Sequence, residues 1–208
     1  MEPNRIIFSI MKSDTEKIRV ILINILKMLS NRIYMDKEDR KQKLLNLEND
    51  NDPMKYVDDK GDNTFTLIVR NGDKYAIKIM FQKISAIGKQ SPISEFLNEY
   101  NNHKKIIIAQ EYNAKIESQV SKYGAQIFLE SRLLSDLISN KFQPEFELLS
   151  PTEMKQVKIE YNVNEYTIKK YNRSDPVVQY FGLKKGDIVR IIRPSIVSGE
   201  NIDYRIVT

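Results

Sequence analysis

The stretch that most limits how this 208-residue chain folds runs from Arg173 to Ser195 and reads RSDPVVQYFGLKKGDIVRIIRPS. Asp175-Pro176 starts a helix, because an aspartate side chain caps free backbone N–H groups and proline suits the first helical position. Gly182 stands where a helix of one to two turns needs a left-handed stop. Lys184-Lys185-Gly186-Asp187 reads as a turn, and the β-branched run Ile188–Ile192 as a strand that Pro194 closes. Beyond a second turn at Ser198-Gly199, the segment Ile202–Val207 alternates, with Ile202, Tyr204 and Ile206 on one face. The pattern predicts a compact helix–turn–strand–turn–strand unit.

The rest of the chain carries equally local signals. Ser13-Asp14-Thr15-Glu16 is a capping box, and the helix after it puts Ile18, Ile21, Leu22, Ile25, Leu26, Leu29 and Ile33 on one wide face. Asp36 caps a second, highly charged helix through Leu47, and the polar stretch Asn46–Lys60 reads as a mobile loop. Asn71-Gly72-Asp73 is a hairpin turn between strands Thr64–Arg70 and Lys74–Phe81. Ser91-Pro92 starts a helix carrying Ile93, Phe96, Leu97 and Tyr100. Strand Ile106–Gln110, helix Asn113–Lys122 and strand Gln126–Phe128, with Gly124 as the helix stop, make a βαβ unit. A hairpin joined to such a unit predicts a mixed sheet with helices packed on it. A helix over Glu130–Asn140 follows, then Ser150-Pro151-Thr152-Glu153 as another capping box.

Composition narrows the function classes. Charged residues make up 29% and apolar ones 41%, ordinary for a soluble globular protein. The longest apolar runs, such as Val20–Ile23, are about four residues, far short of the roughly 20 that a membrane span needs. No cysteine is present, so neither disulfides nor thiolate metal sites are expected, and the natural location is reducing and intracellular. The net charge of +5 is modest and no block of about five or six consecutive Lys/Arg exists, which argues against a dedicated DNA-binding protein. His103 is the only histidine. It sits among Asn101, Asn102, Lys104 and Lys105 in what reads as an exposed turn, and without cysteine it anchors no ordinary zinc site. Asp58, Asp59 and Asp62 lack the distal glutamate of a calcium loop. No catalytic residue, cofactor site or metal site is expected.

The Arg173–Ser195 string resembles the C-terminal assembly module of the fifth common subunit of eukaryotic nuclear RNA polymerases, a family with a small archaeal counterpart. Asp175, Pro176, Val177, Tyr180, Gly182, Leu183, Lys184, Gly186, Val189, Ile191, Ile192, Arg193, Pro194 and Ser195 match that family's pattern in one register, and Gly199, Tyr204, Arg205 and Val207 continue it. Phe128–Phe146 and Leu148–Tyr161 resemble the family more loosely, and residues 1–125 only in layout. Three departures stand out. Ile196-Val197-Ser198 replaces Glu-Thr-Ala, Glu200-Asn201 replaces Arg-Tyr, and Phe146 replaces a histidine.

The resemblance implies an α+β protein: an N-terminal mixed-sheet jaw domain with helices, residues 1–141, and a small C-terminal α/β assembly domain, residues 142–208. It implies a non-catalytic subunit of a multisubunit DNA-dependent RNA polymerase. The C-terminal module would dock on the largest subunit, and the jaw would frame downstream DNA. The expected partner-binding residues are Asp175, Pro176, Val177, Tyr180, Gly182, Lys184, Gly186, Arg190, Arg193, Pro194, Ser195, Tyr204 and Arg205. Arg190 and Arg193 point to opposite faces of an extended strand, so both faces cannot be plain core. About half of the apolar residues in the module read simply as core. Lys37, Arg40, Lys41 and Lys43 are candidates for facing DNA phosphate, against the alternative of a solvated helix face. Neither a membrane nor a homo-oligomer is expected. The Ile/Asn/Lys bias and the diverged N-terminal part point to a large DNA virus, hence to virion or infected-cell cytoplasm, or else to the nucleus. Two rival readings are a transcription regulator that binds polymerase transiently through the same module and an independent nucleic-acid-binding protein.

Overall fold

The computed structural model describes residues 13–33, 39, 42, 44–47, 52–136, 138, 143–162 and 167–208. The chain divides into two compact units, Met1–Lys27 with Leu44–Asp136 and Met28–Lys43 with Leu137–Thr208. Helix α1 (Asp14–Asn31) opens on its capping box: Glu16 N–H donates to Ser13 Oγ at 3.3 Å and Ser13 N–H to Glu16 Oε2 at 3.1 Å. Its apolar stripe from Ile18 to Leu29 is buried. Ile33, expected on that stripe, lies past the end of the helix. Residues 44–47 are helical, and the rest of the expected second helix falls largely outside the described residues. So does the expected boundary at residues 141 and 142.

The first unit is built on a five-stranded sheet of order β1-β2-β3-β4-β5. Strands β1 (Asp58–Asp59), β2 (Thr64–Ile68) and β3 (Lys74–Ile84) pair antiparallel, while β3, β4 (Lys104–Tyr112) and β5 (Ala125–Leu129) pair parallel. The mixed sheet follows from its connections. The Asn71-Gly72-Asp73 turn, with Gly72 at φ 83° and Val69 N–H donating to Asp73 O at 3.0 Å, returns the chain antiparallel. Helices α2 (Pro92–Glu99) and α3 (Ala114–Lys122) instead carry it across to parallel neighbours. Ser91 and Asn113 cap these helices, each accepting a bond from the third residue on. One core packs Ile93, Phe96 and Leu97 of α2 and Ile116 and Val120 of α3 on Ile107 and Ile127.

Three local expectations change. The stretch read as a mobile loop holds structure: Asp52 caps a 3-10 turn (Pro53–Tyr56), Pro53 and Val57 are buried, and β1 pairs with β2. The helix expected over residues 130–140 is a single turn, α4 (Glu130–Leu133). Asn24 Nδ2 donates to Leu133 O at 2.8 Å, taking a carbonyl that a continuing helix would use; residues 137, 139 and 140 are outside the described set. His103 is half-buried instead of exposed, edge-on to Tyr100 at 5.4 Å.

Two lysines are buried in this sheet, and they differ. Lys78 Nζ meets the Asp62 carboxylate, Asp62 O at 2.7 Å and Thr64 Oγ1 at 3.1 Å, which ties down a loop where Gly61, Asp62 and Asn63 all have positive φ. Lys105 is 4% exposed and its one described hydrogen bond, to Tyr100 O, is 3.4 Å long. Burial pushes its pKa below the ordinary lysine value. As pH rises through that lowered pKa, the folded chain releases a proton that the unfolded chain keeps, so stability rises towards the ordinary lysine value. Replacing Lys105 with methionine is expected to raise stability near neutral pH by about 1–2 kcal/mol. It should also flatten this alkaline rise; urea unfolding at a series of pH values measures both.

The second unit is a four-stranded sheet of order β6-β8-β9-β7, from β6 (Glu145–Leu148), β7 (Lys169–Tyr171), β8 (Ile188–Ser195) and β9 (Gly199–Val207). Strands β6 and β9 flank β8 antiparallel, and β7 lies parallel to the end of β9. Pro194 does not close β8, which runs on to Ser195. Beyond Ile192 the β6 pairing has ended, and there a missing N–H is tolerated. Helix α5 (Pro151–Glu160) carries the full capping box, Glu153 N–H to Ser150 Oγ at 3.2 Å and Ser150 N–H to Glu153 Oε2 at 2.8 Å. It packs Val157 with Leu149 and Ile188. Replacing Ser150 with alanine is expected to cost about 1 kcal/mol in urea unfolding.

Candidate functional site

The Arg173–Ser195 string folds as its chemistry dictates. Asp175 Oδ1 accepts from Val177 N–H at 2.8 Å to start α6 (Pro176–Phe181), and Gly182 ends it at φ 64°, ψ 34°. Leu183 N–H returns to Val178 O at 3.0 Å, closing the left-handed cap. The next turn holds Gly186 at φ 92°, and Asp187 Oδ2 accepts from Lys184 N–H at 2.7 Å. Gly186 N–H then donates to Val207 O at 2.9 Å, stitching the turn to the end of β9.

The expected partner-binding residues sort by what they touch. Val177 and Tyr180 are buried inside the unit, alongside Phe181, whose ring lies 6.1 Å from that of Phe146. Asp175, Pro176, Gly182 and Gly186 shape the backbone. Arg190 and Arg193 do lie on opposite faces. Arg190 is held within the sheet: its Nη1 donates to Glu147 Oε2 at 3.1 Å, its Nε to Tyr204 Oη at 3.3 Å, and its guanidinium stands 5.7 Å over the Tyr204 ring. Burial works against that charge, but the bonds to Tyr204 and Glu147 outweigh it and hold the pKa above the ordinary arginine value. On the other face Arg205 lies over the Tyr171 ring at 4.7 Å, with its Nε 4.0 Å from Asp203 Oδ2. Lys184, Arg193 and Pro194 are exposed, and Ser195 is half-buried at the end of β8. Lys37, Arg40, Lys41 and Lys43 lie outside the described residues.

One residue of this module has no local sequence signal. Arg32 reaches the end of α6 from about 150 residues away in sequence: Nε donates to Tyr180 O at 2.7 Å and Nη2 to Gln179 O at 2.9 Å. Its neighbour Asn31 donates from Nδ2 to Tyr180 Oη at 3.0 Å. A cation on the last carbonyls of a helix satisfies them and complements the helix dipole. The guanidinium lies so near Gly182 that a Cβ there would sit 3.3 Å from Arg32 Cζ. Beside it a groove of about 360 Å³ is lined by Leu148, Met154, Phe181, Leu183 and Ile188 together with Arg32 and Asp187.

Among the described residues no group of His, Cys, Asp or Glu is arranged to hold a metal ion. None of the described helices is long and apolar enough to cross a membrane.

Residues 135–207 match the family model of the RNA polymerase Rpb5 C-terminal domain. The chain is 54% identical over 207 residues to DNA-directed RNA polymerase subunit 5 of Acanthamoeba polyphaga mimivirus, covering 100% of both chains. It is 28% identical over 151 residues to the subunit RPABC1 of DNA-directed RNA polymerases I, II and III of Caenorhabditis elegans, covering 68% of this chain and 72% of that one. For the rpabc1 subunit of Dictyostelium discoideum the identity is 29% over 131 residues, 63% of this chain and 55% of the other. The viral likeness takes in the N-terminal residues, where the sequence resembled the family only in layout.

Proposed function

The chain belongs to the family of RNA polymerase subunit 5 proteins, and on that premise we propose that it is a non-catalytic subunit of a multisubunit DNA-directed RNA polymerase. The observation that carries this reading is the 54% identity along the whole chain with a viral protein named as that subunit. The C-terminal unit is the part that docks on the enzyme, and the largest subunit is its partner. Support comes from the two-faced sheet, which commits Arg190 to Glu147 and Tyr204 yet leaves Arg193 and Pro194 exposed, and from the exposed Lys184 in the turn before β8. Exposed arginine beside apolar residues suits a protein interface. The N-terminal unit takes the jaw position near downstream DNA. Catalytic groups and metals belong to other chains, and the subunit works wherever its polymerase does.

The test is purification of the affinity-tagged full chain from cells that make its polymerase, at high salt. The two largest polymerase subunits are expected to remain bound at equal stoichiometry, with nucleotide-polymerising activity. A chain that elutes alone, or below one copy per enzyme, would overturn the reading.

A further inference from the structure

The β8–β9 hairpin ends in Ser195-Ile196-Val197-Ser198-Gly199, and its two central side chains are almost wholly in solvent: Ile196 is 106% exposed and Val197 97%. The tip is nonetheless fixed. Ser195 and Gly199 are paired in register, Ser198 N–H donates to Ser195 Oγ at 3.3 Å, and Ser198 Oγ donates to Glu200 O at 2.8 Å. These bonds hold two β-branched residues where turn chemistry favours Asn, Asp, Gly or Pro. Neither side chain enters a core, so the fold itself gives no reason for them. Behind the tip, one face of the hairpin carries apolar side chains beside the charged Glu200. Pro194 is exposed and Ile202 is 51% exposed, and strand alternation with the Ile192↔Ile202 and Pro194↔Glu200 register sets both on one face.

The shape and charge of this feature decide what covers it. Two side chains on a narrow hairpin form a convex knob, whose complement is a socket. A membrane-seeking tip would bring aromatic and basic residues to the interface. Here the charged flanks are one of each sign, Arg193 and Glu200. A knob meeting its own copy is convex on convex, and a knob entering a different site on a second copy makes a contact that propagates instead of closing. A subunit of a larger enzyme meets unlike chains, which can supply the concavity.

We propose that the β8–β9 tip is an apolar plug: Ile196 and Val197 seat in a concave apolar socket on another subunit of the polymerase, with Arg193 and Glu200 meeting polar groups at its rim. The inference rests on the polymerase-subunit reading and adds to it the residues that anchor the chain. Buried apolar anchors in pockets carry a large share of interface affinity.

The test compares full-length tagged chains purified with the native polymerase. The I196E/V197E variant is expected to lose retention by at least about tenfold, while I196L/V197L is retained like the wild type. Thermal unfolding of the glutamate variant should match the wild type, since neither side chain is packed. A benzophenone amino acid placed at Val197 is expected to photo-cross-link to another polymerase subunit. Retention of I196E/V197E equal to wild type overturns the plug, as does a cross-link to a second copy, to lipid or to nothing. A wild-type chain that fails to bring down polymerase overturns the subunit reading itself, a separate and visible outcome.

Discussion

Replacing Arg32 with alanine is expected to lower the stability of the C-terminal unit by about 3 kcal/mol, from two charge-assisted hydrogen bonds of roughly 1.5 kcal/mol each. The loss takes the Arg32 donors away from the Gln179 and Tyr180 carbonyls at the end of α6, and leaves the Gly182 N–H on Gln179 O. Lysine should recover only part of the loss, because a single ammonium does not span two carbonyls as a planar guanidinium does. The chain has 11 tyrosines and no tryptophan, so near-ultraviolet tyrosine circular dichroism through a urea series reports the change, with Tyr180 beside the site. A shift within about 0.5 kcal/mol, the range of an ordinary surface substitution, would show that the cap contributes little. Gly182→Ala probes the same place from the other side, since it strains a left-handed backbone and presses on the guanidinium.

Ile107→Ala should be comparably damaging to the N-terminal unit. The side chain is 0% exposed on β4, between parallel partners β3 and β5 and within the core that α2 and α3 cover. Truncation there loses transfer energy and leaves a cavity, together about 2–5 kcal/mol. Ile159→Ala is the control, at 82% exposure on α5, and should stay within about 0.5 kcal/mol. Urea midpoints for the two variants compare buried and exposed isoleucine directly.

What could be read from the sequence was what is encoded locally. Ser13, Ser91, Ser150 and Asp175 each cap the helix expected of them, because cap and helix lie within three residues of one another. Asn71-Gly72-Asp73 turns the chain for the same reason. Asp52-Pro53 carries the signal of Asp175-Pro176 and starts a short 3-10 turn, yet the polar residues around it made the stretch look structureless. The misread elements have distant causes. The helix after Glu130 stops at Leu133, whose carbonyl is taken by Asn24, 109 residues away in sequence. Arg32 completes the α6 cap across a comparable distance, and no spacing rule reaches that far. Alternation put Arg190 and Arg193 on opposite faces, but the commitment of Arg190 to Glu147 required the β6–β8 register.

The central claim is that this chain is held in a polymerase through its C-terminal unit. Lysine-directed cross-linking of the intact, salt-washed complex, followed by mass spectrometry, tests it most directly. Lys184 and Lys185, both exposed in the turn before β8, are expected to cross-link to the largest polymerase subunit. Cross-links to that subunit only from lysines of the N-terminal unit, such as Lys83 and Lys104, would contradict the account.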